Sequence, residues 1–233
     1  MRSTLNSDMH GGFARGVRRW YFPVASILLL ALAVIGFSDN LSTDVGQKSN
    51  GDPKFVVHGL FCLAWMIVFA VQANLIRVGN IRLHRRLGTL AMFVAAGVAL
   101  STLYVFIAVL KDWDSMRIYA QANRLLLPAY ALFVILGFLN RRRADRHKRY
   151  LYIATLFMME PVLSRAMDPF IPYMPFSSEA QVDHVWWLFF VITWNSFFLS
   201  LLAYDWIVER RLHPISIAGY LMLWVIWLTV AII

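Results

Sequence analysis

Apolar residues occur along this chain in seven long runs separated by short polar stretches. The runs cover roughly residues 22–37, 56–78, 87–110, 118–139, 150–167, 184–205 and 215–233. Because a helix rises about 1.5 Å per residue, about 20 apolar residues cross the hydrocarbon core of a bilayer. The pattern therefore predicts an all-α integral membrane protein, with a seven-helix transmembrane bundle over residues 21–233.

The composition supports this fold class. Hydrophobic residues make up 60% of the chain and charged residues 15%, against about 25% charged residues in an average soluble domain. Seven helices with short loops use nearly all of the 233 residues, so no soluble catalytic domain is expected. The polar and basic residues 1–20 are expected to form a disordered N-terminal tail. We interpret the run after them as a retained helix, because its end lacks the small residues typical of signal-peptide cleavage sites.

The basic residues predict the orientation of the bundle, since loops rich in Lys and Arg stay in the cytoplasm. With seven spans, sixteen of the 22 Lys and Arg residues fall on the side of the N-terminus: Arg2, Arg15, Arg18, Arg19, Arg77, Arg82, Arg85, Arg86, Arg141, Arg142, Arg143, Arg146, Lys148, Arg149, Arg210 and Arg211. Only Lys48, Lys54, Lys111 and Arg117 fall on the other side, together with eight of the 13 acidic residues. The N-terminus is therefore predicted to be cytoplasmic and the C-terminus external.

The net charge changes the expected partners. A formal charge of +9 often indicates nucleic-acid binding, but these basic residues lie next to the predicted spans. Acidic lipid headgroups on the cytoplasmic side are the expected partner, and no nucleic acid is expected. The two remaining basic residues, Arg124 and Arg165, lie inside apolar runs, where a charge is costly and commonly marks a functional site.

Arg124 and Glu160 are predicted to pair in the outer half of the bilayer. Arg124 lies about six residues into the fourth run and Glu160 about seven residues from the outer end of the fifth, so both lie about 10 Å below the outer boundary. Opposite charges at one depth are expected to pair in hydrocarbon. Pro128 and Pro161 interrupt helix hydrogen bonding beside them, which suggests a cavity that is either hydrated or filled by a ligand. The alternative is a structural ion pair that locks the two helices together. The polar pocket would also include Gln121, Asn123, Arg165 and Asn195.

Four histidines are candidate cofactor ligands, because they fall into two pairs, one at each face of the predicted bundle. His58 and His184 begin the second and sixth spans on the outer side, and His84 and His147 begin the third and fifth on the inner side. Such pairs are typical of membrane cytochromes that hold b-type haem between neutral imidazoles. The inner pair is the weaker candidate, since basic residues directly follow both histidines and indicate headgroup level.

The outer histidines also suggest a second kind of site. With Asp168, Asp183 and Glu160, they would suit a divalent metal such as zinc, iron or copper, which imidazole and carboxylate ligands bind. The segment Asp168–Phe176 alternates proline with apolar residues, so it cannot form a regular helix. We expect it to lie over the helix ends, either as an interfacial connector or as a lid.

Short motifs at the helix borders carry a resemblance to a known family. They are Leu83–Gly88 (LHRRLG), His147–Leu151 (HKRYL) with Arg165 downstream, and Tyr204-Asp205 followed by Arg211–Pro214 (RLHP). Over roughly the second to the seventh helix the chain resembles an uncharacterised family of bacterial multi-pass membrane proteins with no established activity. The resemblance implies a bacterial inner (cytoplasmic) membrane. Asp205 and His213 flank the last inner loop, where we expect either a carboxylate–imidazole contact or helix capping.

Three functions follow from these patterns. The preferred one is a membrane redox protein that holds b-type haem or a divalent metal at the histidines. The second is a non-catalytic subunit or assembly partner whose Trp-rich and Phe-rich helix faces pack against other membrane-protein subunits. The third is a transporter or small-molecule binder centred on Arg124 and Glu160. A serine hydrolase is not expected, because the chain has no G-x-S-x-G motif.

Overall fold

The computed structural model describes residues 2–41, 51–175 and 178–233, so Lys48 and Phe176 lie outside the described residues. Within those ranges every regular element is helical, which confirms the predicted all-α class. The helices are α1 (Arg2–Gly36), α2 (Ser38–Leu41), α3 (Pro53–Arg77), α4 (Ile81–Ala108), α5 (Ile118–Leu139), α6 (Ala144–Phe157), α7 (Glu160–Leu163), α8 (Glu179–Glu209) and α9 (Pro214–Ile232), with short 3₁₀ turns at Trp113–Ser115 and Asp168–Tyr173.

Six helices in the described part of the chain are long and apolar enough to cross a membrane. They are the Gly11–Gly36 part of α1, together with α3, α4, α5, α8 and α9. Each overlaps one of the predicted apolar runs. Such a set of helices indicates a multi-pass membrane protein.

The N-terminus differs from the expected disordered tail. α1 begins at Arg2 and continues without interruption through the first apolar run. Glycines at 11, 12 and 16 lower the helix propensity of this stretch. No proline precedes Pro23, however, so no missing N–H interrupts the helical hydrogen bonding of this stretch.

The fifth apolar run forms a broken helix. α6 ends at Phe157, Met158 and Met159 lie outside any helix, and α7 covers only Glu160–Leu163. Pro161 explains the break, because proline has no N–H to donate to the carbonyl four residues earlier, here that of Phe157, and its ring clashes with that carbonyl. Neither piece could cross a bilayer alone, but the segment from Ala144 to Leu163 has the length of about 20 residues that a span needs.

The six long helices form a closed ring around this broken helix. Each packs on its two neighbours in the order α1, α3, α4, α5, α9, α8 and back to α1. Inside the ring, α6 packs against α5, α8 and α9, while α7 packs against α1 and α8. Every residue from Tyr152 to Phe157 is only 0–1% exposed. This part of the broken helix therefore has no surface left for lipid.

Two tryptophans of α8 hold the broken helix where its regular hydrogen bonding stops. Trp194 Nε1 donates to the carbonyl of Leu156 at 3.0 Å. Trp186 Nε1 donates to the carbonyl of Ser164, just beyond α7, at 3.1 Å. The Leu156 carbonyl also accepts the backbone N–H of Met159 at 3.2 Å, so the Trp194 indole adds a second hydrogen bond there. A buried polar group without a partner costs about 1–3 kcal/mol, so the Trp186 indole stabilises the irregular backbone at Ser164, which lipid could not.

The end of α1 lies against the backbone of α7 and leaves no room for a side chain at Gly36. A Cβ atom there would lie 2.7 Å from the carbonyl oxygen of Val162 and 3.3 Å from the backbone nitrogen of Ala166. Backbone atoms cannot rotate away as a side chain can. A methyl group at this position must therefore push α1 and α7 apart.

Gly36→Ala is expected to lower the free energy of unfolding by about 1–3 kcal/mol, the usual cost of overpacking. Gly16→Ala is the matched control on the same helix, because nothing lies within 4 Å of a Cβ atom there. The higher helix propensity of alanine predicts a neutral or slightly stabilising effect for this control. Thermal unfolding in detergent measures both variants, and equal stabilities would contradict the close contact.

Candidate functional site

A cavity of about 250 Å³ lies beside the break in the central helix. Its wall is formed by α4, α5, α7 and the turn that follows α7. Phe106 and Tyr119 contribute aromatic surface, and the polar lining consists of Asn123, Arg124, Glu160, Ser164 and Arg165. Four residues of the pocket predicted from the sequence, Asn123, Arg124, Glu160 and Arg165, therefore line one cavity.

Glu160 is buried, with 1% of its surface exposed, and its two carboxylate oxygens differ. Oε2 accepts a hydrogen bond from Asn123 Nδ2 at 2.5 Å. Oε1 has no hydrogen-bond partner among the described residues. Because an unpaired buried acceptor is costly and Glu160 lines the cavity, Oε1 is the atom best placed to accept a hydrogen bond from a bound molecule.

The two arginines of the cavity lie against aromatic rings. The Arg124 guanidinium is 4.2 Å from the ring centre of Phe106, and that of Arg165 is 4.9 Å from the ring centre of Phe37. No ion pair within the described ranges joins either arginine to Glu160. Arg124 and Glu160 therefore line the same cavity but do not form the expected ion pair. Asn123 binds the Glu160 carboxylate instead, and the face of the Phe106 ring attracts the Arg124 guanidinium.

Arg165 also differs from its expected place within a span. It lies in the turn between α7 and the following 3₁₀ turn, where it is exposed. α7 ends at Leu163, so the charge falls outside regular helix. From this turn the Arg165 side chain lines the cavity.

Gln121 and Asn195 lie outside the cavity. Gln121 Nε2 donates to the carbonyl of Trp113 at 2.8 Å and ties the start of α5 to the preceding turn. Asn195 Oδ1 accepts from the Tyr220 hydroxyl at 2.7 Å and links α8 to α9. These two amides make structural contacts between helices and turns and do not extend the pocket.

The structure does not bring the outer histidines together. His58 is half-buried between α3 and α4, with Nδ1 3.2 Å from Ser101 Oγ, whereas His184 and Asp183 are exposed on α8. In the ring of helices α1 packs between α3 and α8. Asp168 begins the second 3₁₀ turn, where burial raises the pKa of its carboxyl.

Metal-binding side chains do not cluster at the outer end. Over the described ranges, no group of three or more His, Cys, Asp or Glu side chains could hold a metal ion. The site expected from His58, His184, Asp168 and Asp183 therefore has no assembled ligand set in this arrangement of helices.

The inner histidines do meet. The rings of His84 on α4 and His147 on α6 lie 6.3 Å apart between centres, with their planes at 86°. His147 Nδ1 donates to the carbonyl of Gly137 on α5 at 2.8 Å. Of the four candidate histidines, His84 and His147 are therefore the two that lie side by side. The sequence makes this pair the weaker candidate, because the adjacent basic residues indicate headgroup level.

Sequence reasoning missed a buried network at the basic end of the bundle, the end with the loop of residues 140–143. Arg149 and Asp205 have side chains that are 0% exposed. The Arg149 guanidinium donates to Asp205 Oδ1 from Nε at 2.9 Å and from Nη2 at 2.5 Å. It also donates to Glu209 Oε1 at 2.6 Å and to the carbonyl of Asp145 at 2.6 Å. The acidic Asp205 at the end of an apolar run was the signal that could have revealed this network.

Helix capping, not a carboxylate–imidazole contact, connects Asp205 with His213. Asp205 Oδ2 accepts the backbone N–H of His213 at 3.2 Å. The His213 ring caps α9, since its Nδ1 accepts the backbone N–H of Ile215 at 3.2 Å. Burial lowers the pKa of His213 and nearby Arg149 lowers it further, which keeps the ring neutral and able to accept.

No family model, curated protein or solved structure matches this chain. The resemblance of its border motifs to a bacterial membrane-protein family therefore stays a prediction. The features of the chain that bear on function are the cavity at Glu160 and the side chains that lie together at the basic end.

Asp205→Ala is expected to destabilise the protein by about 3–5 kcal/mol, because it leaves the buried Arg149 guanidinium without its main partner. Glu209→Ala is the matched control: its side chain is 21% exposed, and the Arg149 guanidinium keeps both hydrogen bonds to Asp205, so a smaller loss of stability is expected. Denaturation in detergent compares the two variants. Equal losses of stability would show that the Arg149–Asp205 pair does not hold α6 to α8.

Proposed function

We propose that the chain has seven spans and that the broken helix α6–α7 is the fifth. Its contacts with α8 support this topology: Arg149 with Asp205, Leu156 with Trp194, and Ser164 with Trp186. As residue numbers rise along the broken helix, those of its partners fall along α8. The two therefore run antiparallel over most of the length of α8, which is itself long enough to cross a membrane.

Seven spans separate the two ends of the chain. Loops rich in arginine then lie in the cytoplasm of a bacterial inner membrane, with the N-terminus, and can contact acidic headgroups. The C-terminus lies outside. In this orientation the cavity beside Glu160 lies in the outer half of the bilayer and the Arg149 network at the inner face.

The protein binds a small polar molecule in this cavity, as a transporter or solute-binding protein would. The observation that carries the proposal is the free Oε1 of Glu160, which is buried, lines the cavity and sits at a break in a central helix. Ionisable side chains inside a membrane bundle commonly mark ligand pathways. Interrupted helices form the binding sites of many transporters, where irregular backbone is sheltered from lipid.

The cavity walls indicate the chemistry of the ligand. Glu160 Oε1 accepts a hydrogen bond, so the ligand carries a hydroxyl or amine. Arg124 and Arg165 line the same space, and guanidinium groups favour a carboxylate or another acidic group. A volume of about 250 Å³ is just below the range of about 300–1,000 Å³ for drug-sized ligands. A small amino acid or hydroxy acid matches these features.

Thermal unfolding of the full chain in detergent, with a panel of amino acids and hydroxy acids, tests this proposal. At least one compound is expected to raise the unfolding temperature of the wild type. Glu160→Gln keeps the size of the side chain but removes its charge. It should weaken binding by about tenfold or more, because hydrogen bonds to charged groups contribute about 1.5–3 kcal/mol.

Gln121→Ala is the control for this experiment, since it changes a polar residue on the same helix as Asn123 and Arg124 but outside the cavity. It should bind like the wild type. The proposal fails if no compound stabilises the wild type, or if Glu160→Gln and Gln121→Ala bind the same compound equally well.

A further inference from the structure

Three polar residues from different helices lie near one another at the basic end, away from the cavity. They are Gln72 of α3, His84 of α4 and His147 of α6. The rings of His84 and His147 are 6.3 Å apart between centres. The Gln72 amide nitrogen lies 3.8 Å from where a Cβ atom of Gly88 would be, and Gly88 is one helical turn from His84 on the same face of α4.

These side chains are not satisfied by one another. His84 Nδ1 and both amide atoms of Gln72 are buried and have no hydrogen-bond partner in the described part of the chain. More than about 90% of buried polar groups in proteins are paired. Three unpaired atoms in one cluster therefore indicate a site that takes a ligand.

The histidines are oriented as metal ligands are. A neutral imidazole that donates from one nitrogen has a lone pair on the other. His147 donates from Nδ1 to the carbonyl of Gly137 at 2.8 Å, so its Nε2 is free. In His84 the bare nitrogen is Nδ1. Backbone carbonyls that hold the outer N–H of a histidine are typical around bound metal ions.

We propose that His84 Nδ1, His147 Nε2 and the amide oxygen of Gln72 bind one transition-metal ion. Two imidazoles and one oxygen suit zinc or copper. With metal–nitrogen bonds of about 2.0–2.1 Å, ring centres 6.3 Å apart place the two imidazoles on nearly opposite sides of one ion. Tetrahedral coordination of zinc requires the two rings to approach each other by about 1 Å. The exposed Arg85 and Arg86 can turn toward solvent, and Arg149 is neutralised by its two carboxylate partners.

A bare ion fits this place better than haem. Haem iron would take the two histidines and leave the Gln72 amide unpaired. The helices next to His147 are also tightly packed, because a Cβ atom on Gly137 would lie 2.7 Å from Leu151. A porphyrin held by these histidines could therefore not extend between α5 and α6. The site is independent of solute binding at Glu160, which lies at the other end of the bundle.

Zinc binding to the full chain, purified in detergent with a tag that contains no histidine, tests the assignment. Isothermal titration with Zn²⁺ alone and elemental analysis should both give one ion per chain. His147→Asn keeps an N–H donor toward Gly137 but removes Nε2. His84→Gln keeps a polar side chain of similar length but removes Nδ1. Each should weaken zinc binding by about tenfold or more, since even groups that only orient a ligand contribute about 10–100-fold.

His58→Ala is the control, because His58 is the other half-buried histidine of the bundle and lies 3.6 Å from the sulfur of Cys62. It should bind zinc like the wild type. Substitution with Co²⁺ adds a second readout, since the visible bands of a nitrogen-ligated site should disappear in His84→Gln and His147→Asn. The assignment is overturned if the wild type binds no zinc, if both variants bind normally, if His58→Ala loses the ion, or if haem occupies the site.

Discussion

The missing hydrogen bond at Pro161 is the constraint on which the rest of the structure depends. Proline cannot donate to the carbonyl of Phe157, so the central helix stops and restarts at Glu160. Irregular backbone is tolerated at membrane depth only where protein or a polar cavity shelters it. The closed ring of six long helices supplies that shelter, and the indoles of α8 donate to carbonyls beside the break. The same break places the Glu160 carboxylate in a cavity.

The two ends of the broken helix are held by different forces. At the basic end, the Arg149 guanidinium is fixed by two carboxylates of α8 and by a carbonyl of its own helix. A buried ion pair adds little net stability compared with apolar packing, but it strongly penalises any arrangement that separates the partners. At the other end the contacts are neutral hydrogen bonds and the carboxylate is only half satisfied. The fold thus fixes α6 in place, and at the cavity it leaves Glu160 Oε1 without a hydrogen-bond partner among the described residues.

Hydrophobic runs in the sequence predicted the helical class and the positions of the six long helices. They could not show that the fifth run occupies the centre, because lipid-facing and protein-facing helices are both apolar in a membrane bundle. The depth of a residue in the bilayer predicts part of the site but not its contacts. Arg124 and Glu160 line one cavity, as their matched depth suggests, yet Asn123 binds the carboxylate. The depth of a residue along a helix axis does not show which side chains of that helix face the interior of the bundle.

The basic border motifs show a second limit. Arg85 and Arg149 both follow a histidine near the start of a helix, and the sequence predicts that both help to determine orientation. Only Arg149 is buried, because α6 lies inside the ring and Asp205, 56 residues away, faces it. Short-range sequence patterns do not contain this information. The same packing brings His84 and His147 together, although their charged neighbours placed both rings at headgroup level.

Cysteine labelling tests most directly whether the broken helix crosses the membrane. Cys62 is the chain's single cysteine, so a Cys62→Ala background allows one reporter at a time. Tyr173→Cys lies beyond α7 at a residue that is 87% exposed, and Arg142→Cys lies in the exposed loop before α6. If the broken helix crosses the membrane, a membrane-impermeant maleimide labels Tyr173→Cys on intact cells and Arg142→Cys only after permeabilisation. Labelling of both positions from the same side would contradict this topology.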